Sequence, residues 1–94
     1  MKTFTFYADA GHGWLAVKIA DIKTIGLSVQ EFSPYSYRNG ETLYLEEDMD
    51  AGVFIRQWEA VKGAFAHKFV DHGNRSRIRS YDRLPADTSS AIWS

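Results

Sequence analysis

Tyr35-Ser36-Tyr37-Arg38-Asn39-Gly40-Glu41-Thr42-Leu43-Tyr44-Leu45-Glu46-Glu47-Asp48-Met49-Asp50 is the stretch that decides the fold. An Asn-Gly pair between strand-like runs is the strongest short-range signal for a type I′ hairpin. The spacing therefore predicts strands over 35–38 and 41–46, joined at Asn39-Gly40. Leu43 and Leu45 share one side of the second strand, with Thr42, Tyr44 and Glu46 on the other, so one face of the sheet should pack and the other stay wet. Directly after it, Glu46, Glu47, Asp48 and Asp50 gather four carboxylates where the strand hands over to a helical pattern. Carboxylates are favoured there because the first N–H groups of a helix lack partners and carry positive partial charge. Capping needs two of them at most. The remainder are left to pair with arginines near the C-terminus or to face a partner.

Working outward, a helix is expected from about Asp50 to Lys62. Phe54, Trp58, Val61 and Phe65 recur at spacings of four, three and four and form its apolar stripe, and Gly63 ends it. Upstream, Phe4 and Phe6 alternate with Thr3 and Thr5 as in a half-buried strand, and Trp14 to Ile19 resumes an extended run after Gly11 and Gly13, two glycines free to take positive φ. Asp21 reads as the N-cap of a short helix that stops at Gly26, with Leu27 closing over its end. Pro34 holds Ser33 extended, and residues 28–34 read as a loop. Downstream, Phe65 to Val70 is a further apolar, extended segment, and Arg75 to Tyr81 alternates again. From Leu84 onward the pattern dilutes into a loosely held tail in which Ile92 and Trp93 are candidates to dock. The expectation is an α+β domain over residues 1–83, with a mainly antiparallel sheet of four to six strands, one main amphipathic helix and one short helix. Phe4, Phe6, Leu43, Leu45, Phe54, Trp58 and Val61 are its expected core.

Composition agrees with one small core. The chain has 94 residues, 45% hydrophobic and 24% charged, and no cysteine. Disulfides, thiolate metal sites and thiol catalysis are thereby excluded, and a reducing cytoplasm is the expected compartment. No run approaches the ~18 apolar residues of a membrane span. Charge is divided by position: residues 1–60 carry five basic and nine acidic side chains, residues 61–94 six and three. A pI near 6.3 differs from the value above ~9 usual for a domain that coats nucleic acid.

Catalytic chemistry is not legible. His12, His67 and His72 match no zinc-ligand spacing, so no metal or other cofactor is expected. Gly11-His12-Gly13 resembles a phosphate loop only in fragment, since no Gly-Lys-Ser/Thr follows. Glu46 and Asp48 are sequence neighbours rather than carboxylates held across a cleft, and no nucleophile is paired with a base. A binding surface is the better candidate. Arg75, Arg77 and Arg79 would point to one side of an extended backbone with Tyr81, against Ile78. They would be matched by Glu46, Glu47 and Asp48 in an internal ladder, or by an external anion. Tyr35, Tyr37, Tyr44 and Tyr81 add interface character, because tyrosine and arginine are favoured at binding hot spots.

The ordered motifs Gly11-His-Gly-Trp-Leu-Ala-Val17, Ser33-Pro-Tyr-Ser-Tyr-Arg38, Tyr44-Leu-Glu-Glu-Asp-Met-Asp-Ala51 and Ile78-Arg-Ser-Tyr-Asp82 resemble a family of small proteins of phages, prophages and related mobile elements, most without an assigned function. The resemblance covers about residues 4–83. Met49 stands where the family pattern carries cysteine, a departure of little weight if that position is buried. The resemblance implies an accessory protein acting in the bacterial cytoplasm, as anti-CRISPR proteins do. Such a protein is expected to bind a host or defence protein through Glu46, Glu47, Asp48, Asp50, Tyr35, Tyr37, Tyr44, Arg75, Arg77, Arg79 and Tyr81. The alternative is a nucleic-acid accessory protein using the three arginines on phosphates and Tyr81 for stacking.

Overall fold

The computed structural model describes residues 2–84. Six strands form one mixed, mostly antiparallel sheet: β1 (Thr3–Ala8), β2 (Gly13–Lys18), β3 (Tyr37–Asn39), β4 (Thr42–Glu46), β5 (Ala66–Asp71) and β6 (Asp82–Arg83), in the order β5-β1-β2-β4-β3-β6. Helix α1 (Ile19–Thr24) and helix α2 (Asp50–Lys62) complete the α+β fold, with short 3-10 turns at Val29–Glu31 and Arg77–Ser80.

The one parallel pairing, β1 with β5, follows from the connections. β1 and β4 are each antiparallel to β2 and so run the same way. Thirteen helical residues rising ~1.5 Å each carry the chain about 20 Å back across the sheet, so β5 enters in the direction of β4 and therefore of β1.

The helix-bearing face holds Phe4, Leu15, Val17, Leu43 and Leu45, all buried, beneath Ala51, Phe54 and Trp58 of α2. Phe4 meets Phe54, Trp58 and Phe65 edge-on at 5.2, 5.0 and 5.4 Å. Phe6 is half-buried against this core. Val61, expected inside, is 51% exposed: the buried stripe of α2 runs through Asp50, Ala51, Phe54 and Trp58 and leaves the sheet before reaching it.

Three local expectations are corrected. The hairpin register, Asn39 opposite Thr42, makes Gly40-Glu41 the loop rather than Asn39-Gly40. Gly40 has φ 63° and no non-glycine residue among the described ones has positive φ, which is the combination of a II′ turn and not of I′. Helix α1 begins at Ile19, ahead of Asp21, which sits in the first turn and pairs with Lys2 at 3.3 Å. Its end is as expected: Gly26 takes φ 84°, its N–H bonds to the Lys23 carbonyl and that of Leu27 to the Ile22 carbonyl, a Schellman arrangement. Residues 28–34, read as loop, hold the first 3-10 turn, whose Glu31 carboxylate accepts from the Ser28 N–H.

The second sheet face is not simply wet. Trp14, Tyr37 and Ile78 are buried there, flanked by Tyr7, Tyr44 and Tyr81, because the segment after Ser76 folds back over it. Leu84, assigned to the loose tail, is 3% exposed and donates its N–H to the Ser36 carbonyl. Ile92 and Trp93 lie outside the described residues.

Candidate functional site

Three polar knots build the one surface where the aromatic and charged candidates converge. The first is the start of α2. Ser33-Pro34-Tyr35-Ser36 closes a β-turn, with the Ser36 N–H on the Ser33 carbonyl at 3.1 Å and proline pre-setting φ at its second position. The turn is then tied to the helix by Asp50, which is 3% exposed. Its carboxylate accepts the Ser33 N–H at 2.8 Å, the Ser33 hydroxyl at 2.8 Å and the Ser36 hydroxyl at 2.5 Å. Ser36 in turn accepts the Glu46 N–H at 3.0 Å.

The second knot is Glu46, placed on the wet side by alternation yet buried. Its carboxylate receives the N–H groups of Asp48 at 2.8 Å and Met49 at 3.1 Å, donors that the turn before α2 leaves without backbone partners. Two of the four clustered acids are thus consumed by folding. Glu47 and Asp48 remain exposed.

The third knot is Asp9, absent from the sequence-derived candidates. Its side chain is inaccessible to solvent and accepts from the N–H groups of Gly11 and His12 at 3.0 Å each and of Ser76 at 2.8 Å. Arg79 adds a bidentate pair, Nε at 2.6 Å and Nη2 at 2.8 Å. The Arg79 guanidinium, followed by the N–H of Ser76 and those of Gly11 and His12, holds the Asp9 carboxyl well below the usual carboxylate range, against the opposing pull of burial. Gly11 and Gly13 serve space rather than positive φ. A Cβ on Gly11 would stand 2.9 Å from Arg79 Nη2, and one on Gly13 2.6 Å from the Phe6 ring.

The predicted arginine stripe does not form. Residues 77–80 are a 3-10 turn, started by the Ser76 hydroxyl accepting the Ile78 N–H, so the three arginines do not share a strand face. Arg79 goes to Asp9, while Arg75 and Arg77 are exposed. No ion pair joins Arg75, Arg77 or Arg79 to Glu46, Glu47 or Asp48 among the described residues.

What does converge is a groove of about 240 Å³. Trp14 and Tyr37 form its floor, edge to face at 6.2 Å. Arg79 lies over the Trp14 ring at 5.4 Å and Arg83 over Tyr37 at 5.2 Å, so a cation covers each aromatic. Tyr35, 64% exposed, and Met49, 61% exposed, stand at the rim with His12, Glu46 and Asp48. Arg79 is neutralised by Asp9. Arg83 and Asp48 have no ion-pair partner among the described residues.

Of the sequence-derived candidates, Tyr35, Tyr37, Glu46, Asp48 and Arg79 share this groove. Asp50 supports it from behind. Tyr44 and Tyr81 flank the same aromatic cluster outside the groove, 5.2 Å apart, where burial and then the adjacent Tyr81 and Tyr7 push the Tyr44 phenol above its ordinary range. Glu47, Arg75 and Arg77 do not line the groove. Trp14 and Arg83 were missed. Trp14 looked like an ordinary strand residue, and its alternation with the core residue Leu15 was the signal that it occupies the opposite face. Met49, where the resembled family has cysteine, is not buried. No group of three or more potential ligand side chains stands close enough to hold a metal among the described residues. No helix there is long and apolar enough to cross a membrane.

Comparison with known proteins finds no matching family model, curated protein or solved structure.

Proposed function

We propose that this protein is a non-enzymatic protein-binding module, a phage accessory protein that inhibits or modulates a bacterial host or CRISPR-type defence protein in the cytoplasm. The groove over Trp14 and Tyr37 is the surface on which its partner sits. One observation carries the reading: an aromatic floor under two guanidinium groups, rimmed by exposed Tyr35 and Met49, with one charge of each sign, at Asp48 and Arg83, that has no ion-pair partner among the described residues. Tryptophan, tyrosine and arginine are the residues that dominate binding hot spots, and a small polar rim around an apolar floor is the anatomy of an interface. At about 240 Å³ the groove is smaller than the ~300–1,000 Å³ of most small-molecule sites. It suits one large apolar side chain of a partner, flanked by a cation toward Asp48 and an anion toward Arg83.

Nucleic-acid binding is the second reading. It keeps Arg75 and Arg77 as exposed phosphate contacts but has lost the third arginine to Asp9.

The test is affinity capture from bacterial lysate, with and without nuclease, using the wild type, Asp48→Arg and Arg83→Glu. The expected result is a protein partner that survives nuclease and is lost with either reversal, while both variants melt with the wild type. Capture that disappears with nuclease, or that both reversals retain, overturns the reading.

A further inference from the structure

At the edge of the sheet far from the groove, β5 reads Ala66-His67-Lys68-Phe69-Val70-Asp71 and pairs on one side only, with β1, among the described residues. The direction of its free backbone groups follows from two hydrogen bonds. Ala66 N–H reaches the Lys2 carbonyl at 2.9 Å and His72 N–H the Ala8 carbonyl at 2.7 Å, so the even-numbered residues turn inward to β1. By strand alternation His67, Phe69 and Asp71 turn their N–H and C=O groups outward. Among the described residues the edge carries no proline and no bulge in its register with β1, and its one lysine alternates to the opposite side from Phe69.

Phe69 is 63% exposed and stacks on Phe6 at 6.1 Å. Register places Phe69, Phe6, Leu15 and Leu45 in one row across the sheet. Beside that row Ile55, Phe65 and His67 line an apolar trough of about 370 Å³. A row of this kind, ending in an exposed phenylalanine on an unpaired edge, is unfinished.

We propose that two copies of this chain join antiparallel through β5, about a two-fold axis at Phe69, into one continuous sheet. Opposed residues in an antiparallel ladder must both face the partner or both face away from it, and side chains on one face must oppose one another. Placing the axis at Phe69 satisfies both rules with all three outward residues: Phe69 opposes its own copy, and His67 opposes the copy's Asp71 on each side. An axis at Lys68 would set lysine against lysine and leave Asp71 unopposed within the strand. An axis at Val70 would leave His67 so. The Phe69 register also extends the row of Leu45, Leu15, Phe6 and Phe69 into its mirror sequence, burying the exposed rings together, and puts a carboxylate against each imidazole. This is an isologous contact, closed by its own symmetry. The groove over Trp14 stays free, since β2, β3, β4 and β6 build it.

Sedimentation of the full chain from micromolar to millimolar concentration should show dimers that Phe69→Asp converts to monomers, which melt with the wild type at concentrations low enough to leave the wild type monomeric, while Val61→Asp, another exposed apolar site, leaves the dimer intact. Register is read by cysteine cross-linking, free of background because the chain has no cysteine. Opposed hydrogen-bonded residues lie ~5.5 Å apart at Cα, within the ~4.4–6.8 Å a disulfide spans. His67→Cys/Asp71→Cys should therefore oxidise to a covalent dimer and Lys68→Cys should not. A wild type that stays monomeric throughout, a dimer indifferent to Phe69→Asp, or cross-linking through position 68 but not through 67 and 71, overturns the proposal.

Discussion

Asp9 shows how one side chain can hold together parts of the chain that sequence proximity does not connect. Its carboxylate bonds the 9–12 turn to itself, fixes the Ser76 backbone and anchors Arg79, seventy residues away. Asp9→Asn keeps the volume and removes the charge, turning one acceptor into a donor aimed at other donors. Hydrogen bonds to charged groups contribute about 1.5–3 kcal/mol, so the variant should lose about 2 kcal/mol. At ~4–8 °C per kcal/mol for a domain of this size, the melt should fall by roughly 10 °C. The pH dependence has a definite sign. Because the folded carboxyl titrates below its ordinary value, the unfolded chain binds more protons in acid. The contribution of Asp9 is complete above its unfolded pKa of about 4 and fades as the pH falls below that toward the folded value. Melting curves of wild type and Asp9→Asn should therefore lie well apart at neutral pH and converge in strong acid. A constant gap would mean that geometry, not charge, holds the knot.

At the scale of elements, the Ser33–Ser36 turn, β4 and the start of α2 behave as one unit because Asp50 and Ser36 link them. Asp50→Ala strands the buried Ser36 hydroxyl and the Ser33 N–H, and should cost about 2–4 kcal/mol at ~1–3 kcal/mol for each unsatisfied group. Ser36→Ala removes a smaller part, and the double variant should fall short of the sum by at least ~0.5 kcal/mol, which urea denaturation of the four proteins would reveal. Additive losses would separate the two residues. The sequence was most readable where one periodicity acted alone. The spacing of four between Phe54 and Trp58 located α2 between its observed ends, and Leu43 and Leu45 marked the packed side of β4. It misled where two local solutions share a pattern. Asn39-Gly40 satisfies I′, but Gly40 with Glu41 satisfies II′ using a single positive φ, and the pairing of Tyr37 with Tyr44 belongs to the second. Ser76-Arg77-Ile78 alternates buried, exposed, buried in a 3-10 turn as it would in a strand. Half of the groove was visible as tyrosines and acids beside the hairpin. The other half depends on a pairing of Asp9 with Arg79 that no local spacing announces.

Over the whole molecule, the acidic cluster at 46–50 and the arginines at 75–79 do not neutralise one another among the described residues. The described ion pairs within 4 Å, Lys2 with Asp21 and Arg79 with Asp9, both involve acids outside the cluster at 46–50. Glu47 and Asp48 on one side, and Arg75 and Arg77 on the other, are exposed charges that form no ion pair among the described residues. Reversing them in pairs, Arg75→Glu/Arg77→Glu and Glu47→Lys/Asp48→Lys, should each change stability by about 0.5 kcal/mol or less, as surface substitutions away from buried features do. Combining both pairs should show no coupling beyond the ~0.3–0.5 kcal/mol of independent sites. Arg79→Glu is the contrast: it sets a second carboxylate on a buried one and should cost about 3–5 kcal/mol, enough to unfold much of a domain whose total stability is of order 5–15 kcal/mol. The same proteins separate the binding readings. On the groove reading, Glu47→Lys/Asp48→Lys abolishes capture and Arg75→Glu/Arg77→Glu preserves it. On the nucleic-acid reading the basic reversal alone weakens binding, and the salt dependence shallows by about one phosphate contact per arginine removed. Mutual rescue of stability between the acidic and basic reversals would show instead that the two clusters meet, and would remove both from the candidate interface.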